Sequence, residues 1–547
     1  MSEQDGAAVN AREVDALIVG AGFAGLYQLH TLRQLGLSVQ VLEAGSGVGG
    51  TWYWNRYPGA RCDVESMNYS YSFSPELEQE WTWSEKYATQ PEILRYAEHV
   101  ADRFDLRRDI TFNTRVVSAV YDERHRRWAV TTERGDVLAA QFLIMATGCL
   151  SVPKSPEVRG ADKFTGPIYH TGRWPHEGVD FTGKKIAVIG TGSSGIQSIP
   201  LMAEQAEQVT VFQRTPNFSM PAGNRPLSED EVRERKAGYR EWRKAQRESG
   251  FGVPITEPTS SALEVSEQER TRSYQAGWDE GNLVAILTSY TDTLTEHAAN
   301  ETAAEFVRNK IREKVADPEL AETLLPREYP YGTKRPCLDT NYYETFNREH
   351  VRLVDLRRTP LVEITETGVR TTEELVECDA VVFASGFDAM TGALASVDIR
   401  GRDGQTLKNK WAEGPRSLLG LAVAGFPNLF TITGPSSPSV LSNMMMAIEQ
   451  HVEWVTDCIT WLRDNGLEEI DASVAAEDEW VAHVEEVGNA TLYPVADSWY
   501  MGANVPGKPR VFMAYIGGLG VYTQTCKEVA DDGYRGFVTA PAAGSTD

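Results

Sequence analysis

Twice in this chain a short apolar run breaks directly into glycines spaced Gly-x-Gly-x-x-Gly, and each time a helical pattern follows. The first case is Asp15-Ala-Leu-Ile-Val19 leading into Gly20-Ala21-Gly22-Phe23-Ala24-Gly25. The second is Lys185-Ile-Ala-Val-Ile189 leading into Gly190-Thr191-Gly192-Ser193-Ser194-Gly195, with Ile196 next. A short continuous apolar run reads as a parallel strand covered on both faces. In the turn after it, the first glycine permits the tight bend. The second lets backbone approach a pyrophosphate, and the third lets the helix pack on the strand. The helix start then offers free N–H groups and a positive dipole end to the phosphates. In the first unit, Leu26–Leu35 keeps helical spacing and Leu37–Glu43 is a second strand ending in an acid. Strand, glycines, helix, strand and acid in register make this a dinucleotide site, which a lone glycine pattern would not.

The two units differ where cofactors are told apart. Glu43 lies 23 residues after Gly20 and can accept hydrogen bonds from ribose hydroxyls. The same step from Gly190 reaches Gln213, followed by Arg214 and Thr215. The acid that would repel a 2′-phosphate is gone and a cation stands beside its place, the pattern expected for NADP. The expected fold class is therefore α/β, with two Rossmann-like dinucleotide-binding domains. The second is the one expected to take NADP.

The remaining chain organises around these units. Residues 1–13 read as a polar lead-in. Gly49–Asp63 is a glycine-rich loop carrying Trp52, Tyr53 and Trp54; its rings could stack on a flat cofactor or form an aromatic core loop. Residues 76–106 look helical. Ile110–Thr114, Arg115–Tyr121, Trp128–Thr132 and Val137–Ala140 suggest a small antiparallel sheet with Arg134-Gly-Asp136 as a hairpin turn. Phe142–Gly148 and Ala380–Gly386 are strands that end on a glycine. Charged runs with apolar positions at helical spacing fill 224–328, and Tyr329–Pro336 breaks the pattern, placing Lys334 and Arg335 in a Gly/Pro loop. Gly425–Pro435 runs a strand into a tight turn. The methionine-bearing stretch Ser436–Ile448 continues with helical spacing to Arg463, as a pocket wall or a core helix. Trp499–Arg510 reads as a mobile loop. The implied division is 1–150 and 389–547 for the first dinucleotide domain, 151–223 and 341–388 for the second, NADP-binding one, and 224–340 as a helical insertion.

A chain of 547 residues, 41% hydrophobic and 24% charged, can bury a large core. Its net charge of −25 argues against nucleic acid, whose binding depends on Lys and Arg, and against an anionic membrane surface. Cys62, Cys149, Cys337, Cys378, Cys458 and Cys526 are scattered, with no Cys-x-x-Cys pair, as expected in a reducing cytoplasm. The start is polar and acidic, unlike a signal peptide. No run approaches a membrane span, and no histidine spacing suggests a metal.

Residues 164–175 carry a further pattern: Phe164, Gly166, His170, Trp174 and Pro175. Together with Gly49-Gly50-Thr51-Trp52, Tyr57-Pro-Gly59 and Asp63, they resemble the two signatures of single-chain, NADPH-dependent Baeyer–Villiger monooxygenases. The resemblance spans about residues 14–538, and no fixed motif position departs from it. It implies conversion of aryl, cyclic or steroid-like ketones to esters or lactones with NADPH and O2, through a C4a-peroxyflavin, with possible sulfoxidation. In that family Arg335 would be the permanent cation beside the flavin, oriented by Asp63. FAD would meet Glu43, Thr51, Trp52, Asp63, Tyr69, Val116 and Met444. NADP would meet Thr191–Ile196, Arg214, Thr215, Lys334, Arg335 and Trp499. His170 would couple the domains, and Ser439, Val440, Leu441 and Met513 would line the ketone pocket. A monomer or weak homo-oligomer is expected. Related heteroatom-oxidising flavoproteins carry a similar 164–175 stretch but usually lack Trp-Pro. Disulfide reductases need a redox cysteine pair. A flavin-binding sensor would keep the fold without turnover.

Overall fold

The computed structural model describes residues 12–154 and 157–541. The expected lead-in over 1–13 falls outside the described residues as far as residue 11, and Arg12 and Glu13 already belong to the first strand. Strand β1 (Arg12–Val19) pairs in parallel with β2 (Val39–Leu42), Ile18 facing Val41. The helix between them runs Phe23–Gln34. It starts earlier than the apolar spacing predicts because Gly22 is its N-cap, so the glycine fingerprint itself forms the first turn. A Cβ on Gly25 would sit 1.9 Å from the carbonyl oxygen of Gly20. Helix and strand therefore close only around a bare α-carbon. Gly25→Ala is expected to cost about 3 kcal/mol or more, as overpacking with no room to relax. The check is flavin absorbance per mole of purified protein, which should fall sharply.

Residues 76–106 form two helices, Pro75–Glu80 and Gln90–Arg103, instead of one. Pro91 lies at the start of the second, where its missing N–H costs nothing. Strand β3 (Ile110–Thr111) pairs in parallel with β2 and lies outside the antiparallel group assigned to it by sequence. The antiparallel meander is β4 (Val116–Asp122), β5 (Arg127–Thr132) and β6 (Val137–Met145), with Gly135 at φ +86° in the hairpin turn. The segments at 137–140 and 142–145 are one strand. Its first half alternates between buried and partly buried residues and pairs with β5, while its second half is continuously buried beside β1. One strand thus changes from a one-faced to a two-faced pattern along its length.

Two connections lead to and from a second sheet, and they pair with each other. Pro153 bridges Phe387 antiparallel. Lys154 N–H donates to the Gly386 carbonyl and Asp388 N–H to the Val152 carbonyl, both at 2.9 Å. The second sheet contains β7 (Ile168–His170), β8 (Lys185–Ile189) and β9 (Gln208–Gln213). A short parallel pair, β10 (Ser219–Pro221) and β11 (Cys337–Asp339), frames residues 224–340. These fold as helices, including Glu229–Ala237, Tyr239–Glu248, Glu267–Glu280 and His297–Lys314. Ser228 and Glu231 form a reciprocal capping box at the first. Strand β12 (Val351–Asp355) returns to β9; β13 (Leu361–Ile364), β14 (Gly368–Thr371) and β15 (Leu375–Glu377) make an antiparallel side sheet. Strand β16 (Ala380–Phe383) completes the all-parallel order β12-β9-β8-β16-β7. Strands β17 (Asp398–Arg400) and β18 (Leu429–Thr431) then rejoin the first sheet, on β4 and β6.

Residues 436–443 do not continue the α-helix as their spacing suggests: Ser436 and Ser439 have φ of +70° and +42°, and only a short 3-10 turn forms at Ser439–Leu441. The helix is Met444–Asp464, capped by Asn443, whose side chain accepts from Met445 N–H at 3.1 Å. The segment 499–510, expected as a mobile loop, is held down. Lys508 Nζ pairs with Asp388 at 2.7 Å and Asn504 Nδ2 donates to the Phe387 carbonyl at 2.8 Å. Among the described residues no helix is long and apolar enough to cross a membrane.

Candidate active site

Both glycine turns open onto one continuous cavity of about 1670 Å³. Pockets for a single small molecule run roughly 300–1,000 Å³, so this one has room for two nucleotides. It lies beyond the carboxyl ends of β1 and β8, where open parallel sheets bind ligands. Gly20 and Gly190 adopt φ of +105° and +115°. A Cβ on Gly50 would lie 2.9 Å from the Gly22 α-carbon, whereas one on Gly192 would meet nothing within 4 Å. Bare backbone therefore faces the cavity at both turns, which fits the approach of a pyrophosphate to each.

At the first turn Glu43 is buried and accepts from Ala21 N–H at 2.7 Å and Gly45 N–H at 2.6 Å. Burial raises its carboxyl above the usual range, and these backbone donors oppose the rise. The aromatic loop serves both purposes left open by sequence. Trp52 and Tyr53 belong to the main core, and Trp52 also lines the cavity with Thr51, Tyr69, Val116 and Met444. Trp52 Nε1 donates to the Tyr69 hydroxyl at 3.2 Å, which fixes both rings.

At the second turn Thr191 Oγ1 donates to the Thr215 carbonyl at 3.1 Å, and Ser194 Oγ meets Thr171 Oγ1 at 3.1 Å. Ser193 Oγ lies 3.2 Å from Cys337 Sγ. Gln213, in place of an acid, is buried and donates to the Thr323 carbonyl at 2.9 Å. Arg214, Lys334 and Lys154 cluster on the cavity wall. Burial, then the Arg214 charge, lowers the pKa of both lysines. Among the described residues neither Arg214 nor Lys334 has an ion-pair partner; Lys334 Nζ lies 4.7 Å from the Tyr329 ring centroid. This is a cation cluster that an anion would stabilise.

Arg335 stands where the two halves meet. Its Nε and Nη2 donate to the Asp63 carboxylate at 2.8 and 3.0 Å, and Nη1 donates to the Val440 carbonyl at 2.8 Å. Its side chain is 23% exposed and lines the cavity. Burial works against the charge, but Asp63 and then Tyr500 outweigh it and hold the guanidinium well above its ordinary pKa.

His170 sits at the paired connections. Its Nδ1 accepts from Gly172 N–H at 2.9 Å, so Nε2 carries the hydrogen, facing the Lys154 carbonyl at 3.0 Å and Ser385 Oγ at 2.9 Å. Burial lowers its pKa, which keeps the ring neutral.

The family profile for pyridine nucleotide-disulphide oxidoreductases matches residues 17–332. Acetone monooxygenase (methyl acetate-forming) of Gordonia sp. (strain TY-5) is 42% identical over 96% of this chain and 98% of its own length. A solved structure of oxidized steroid monooxygenase bound to NADP is 55% identical, covering 97% of this chain and 100% of that one, with a TM-score of 0.93. The chain belongs to the Baeyer–Villiger monooxygenase family. It is a flavin-dependent oxidoreductase that uses FAD and NADP. The phenazine N-monooxygenase of Lysobacter antibioticus is also 42% identical, over 96% of both chains. Disulfide reductases carry a closely spaced redox cysteine pair, and this sequence has no Cys-x-x-Cys.

In this monooxygenase a smaller cavity of about 70 Å³ adjoins Arg335, lined by Val440, Leu441, Phe251, Leu283 and Leu287. Ser439 and Met513 line neither cavity. Ser439 donates to the Thr433 carbonyl at 3.2 Å, and Met513 is packed behind the wall with Tyr493 and Tyr500. Sequence reading named Trp499 but missed Tyr500, whose hydroxyl bonds Arg335. It also missed Lys154. Neither carries a motif; Tyr500's position beside Trp499 was the only signal.

Proposed function

We propose that this monooxygenase converts apolar ketones to esters or lactones with NADPH and O2, the carbonyl lying against Arg335. The observation that carries this reading is the two-point grip of Asp63 on Arg335 at the junction of two nucleotide cradles. When bound, FAD takes electrons from NADPH and supplies the activated oxygen atom that enters beside the carbonyl carbon. The chain's own part is electrostatic. An arginine stays charged in any pocket. Asp63, Val440 and Tyr500 fix the guanidinium plane, which leaves a donor for negative charge that develops in the cavity. Arg214 and Lys334 hold the 2′-phosphate. Glu43 takes ribose hydroxyls. His170 couples the two sheets through the connections it binds. Phe251, Leu283 and Leu287 receive the hydrocarbon part of the ketone.

The sheet memberships of β17 and β18 support reading 1–150 with 389–547 as the FAD domain. The single sheet made by β7, β8, β9, β12 and β16 likewise supports 151–223 with 341–388 as the NADP domain, with 224–340 inserted. The free thiols support a cytoplasmic setting. The phenazine-oxidising relative favours N-oxidation as a second reading. The test is a panel of aryl, cyclic and steroid ketones, a sulfide and a phenazine, scored by NADPH consumption and product mass. The main reading requires esters or lactones from at least one ketone. Heteroatom oxides as sole products would replace it with the second.

A further inference from the structure

Ser498 occupies the position before the short turn Trp499–Met501, and its side chain makes no capping bond there. Elsewhere in the chain Ser74, Ser228, Ser266 and Ser473 stand at the same kind of position, and each accepts from a backbone N–H. Ser498 is 2% exposed, forms part of the wall of the large cavity, and its Oγ has no protein partner. Its backbone is well fixed: its N–H donates to the Ala496 carbonyl at 2.9 Å, and its carbonyl accepts from Met501 and Ala503 N–H at 3.1 Å each. The hydroxyl is thus held in place without a bond. A second orphan lies on the same segment. Asn504 Oδ1 is buried without a protein partner, although Asn504 Nδ2 is engaged with Phe387.

The segment's position says which occupant it serves. Asp497 lies within electrostatic reach of Lys334, and Tyr500 bonds Arg335. Asn504's carbonyl accepts from Lys154 Nζ, and Lys154 lies beside Arg214. Ser498 therefore sits on the stretch between the phosphate-binding cations and the guanidinium. That is the path of the nicotinamide half of the second nucleotide.

We propose that the Ser498 hydroxyl is a binding group for the nicotinamide half of NADP, bonding either its ribose hydroxyls or its carboxamide. The inference rests on the NADP assignment of the second glycine turn, and wild-type binding of NADP+ tests that assignment separately. A buried hydroxyl without a partner destabilises the nucleotide-free protein, and the same hydroxyl adds affinity when a partner arrives. Removing it therefore acts with opposite sign on the two states. In the FAD-loaded Ser498→Ala enzyme, calorimetric titration should show NADP+ bound about five- to tenfold more weakly than in wild type. Adenosine 2′,5′-bisphosphate, which lacks the nicotinamide half, should bind equally well to both. The melting temperature without nucleotide should equal or exceed that of wild type, while the rise on adding NADP+ shrinks. The 3-acetylpyridine analogue of NADP+ separates the two bonding groups. If the carboxamide NH2 donates to the hydroxyl, wild type and variant bind the analogue alike; if the partner is the ribose or the carbonyl oxygen that the analogue keeps, the difference persists. Unchanged NADP+ affinity would overturn the proposal, as would a proportional loss for the bisphosphate. A lower melting temperature for the nucleotide-free variant would show the hydroxyl to be structural and would also overturn it.

Discussion

Arg335→Ala is expected to give a yellow, FAD-loaded enzyme that still oxidises NADPH but forms no measurable ester. The side chain contacts neither glycine turn, so neither nucleotide loses its phosphate contacts. What disappears is the one guanidinium fixed at the junction, with its hydrogen bonds to Asp63 and Val440. Losing one preorganised donor to a developing oxyanion costs a factor of about 10²–10³. Loss of a full positive charge in a partly enclosed cavity should cost at least that in ester formation. Arg335→Lys keeps a charge but cannot span the Asp63 carboxylate with two parallel bonds, so it should recover only part of the loss. Product mass analysis beside rapid-mixing measurement of flavin reduction separates the two half-reactions. Normal ester yield from the alanine variant would refute the assigned role.

The second large effect belongs to Arg214→Ala combined with Lys334→Ala. These cations crowd each other, and among the described residues neither has a carboxylate within ion-pair distance, though Glu328 and Asp497 act on Lys334 from farther off. A 2′-phosphate would relieve that repulsion, and NADH has none. Hydrogen bonds to charged groups contribute about 1.5–3 kcal/mol each. The double variant should therefore lose about 10²–10⁴-fold in preference for NADPH over NADH, mostly as a raised KM for NADPH. In wild type, KM for NADPH should rise with ionic strength more steeply than KM for NADH, because the cluster is partly open to solvent. Equal effects of the substitutions on both cofactors would contradict the assignment.

How much of this was legible in the sequence depends on how local each signal is. The glycine turns and the change from Glu43 to Gln213 with Arg214 are patterns within about 25 residues. They gave both cradles and the choice of cofactor. The union of Asp63 and Arg335, 272 positions apart, came from resemblance to a family, because no periodicity reports it. Strand β6 was split in two because its pattern changes midway from alternating to continuous. The tight turn expected to end at Pro435 runs on to Ser439, into the stretch read with helical spacing from Ser436. Thr433, Ser436 and Ser439 all have positive φ, a conformation none of these residue types announces. It is imposed from outside: Thr433 N–H donates to His451 Nδ1 at 2.8 Å, and burial holds that histidine's pKa down at about 3. Tyr500 was hidden for the opposite reason, since an aromatic-rich stretch offers several rings and sequence does not rank them.

The two connections between the sheets run side by side, joined by backbone bonds at Val152–Lys154 and Gly386–Asp388. The chain thus leaves the first sheet and comes back to it at nearly the same place. For engineering, a replacement for residues 153–387 needs its two ends only a few ångströms apart, as they already are here, and must also rebuild the ion pairs of Arg243 with Glu78 and of Arg247 with Glu449. Chimeras cut at this doubled seam keep their ladder of backbone bonds, whereas a cut at one connection alone leaves the other edge without its mate. Exchange of nucleotide preference by transplanting a whole half is thereby open to this fold.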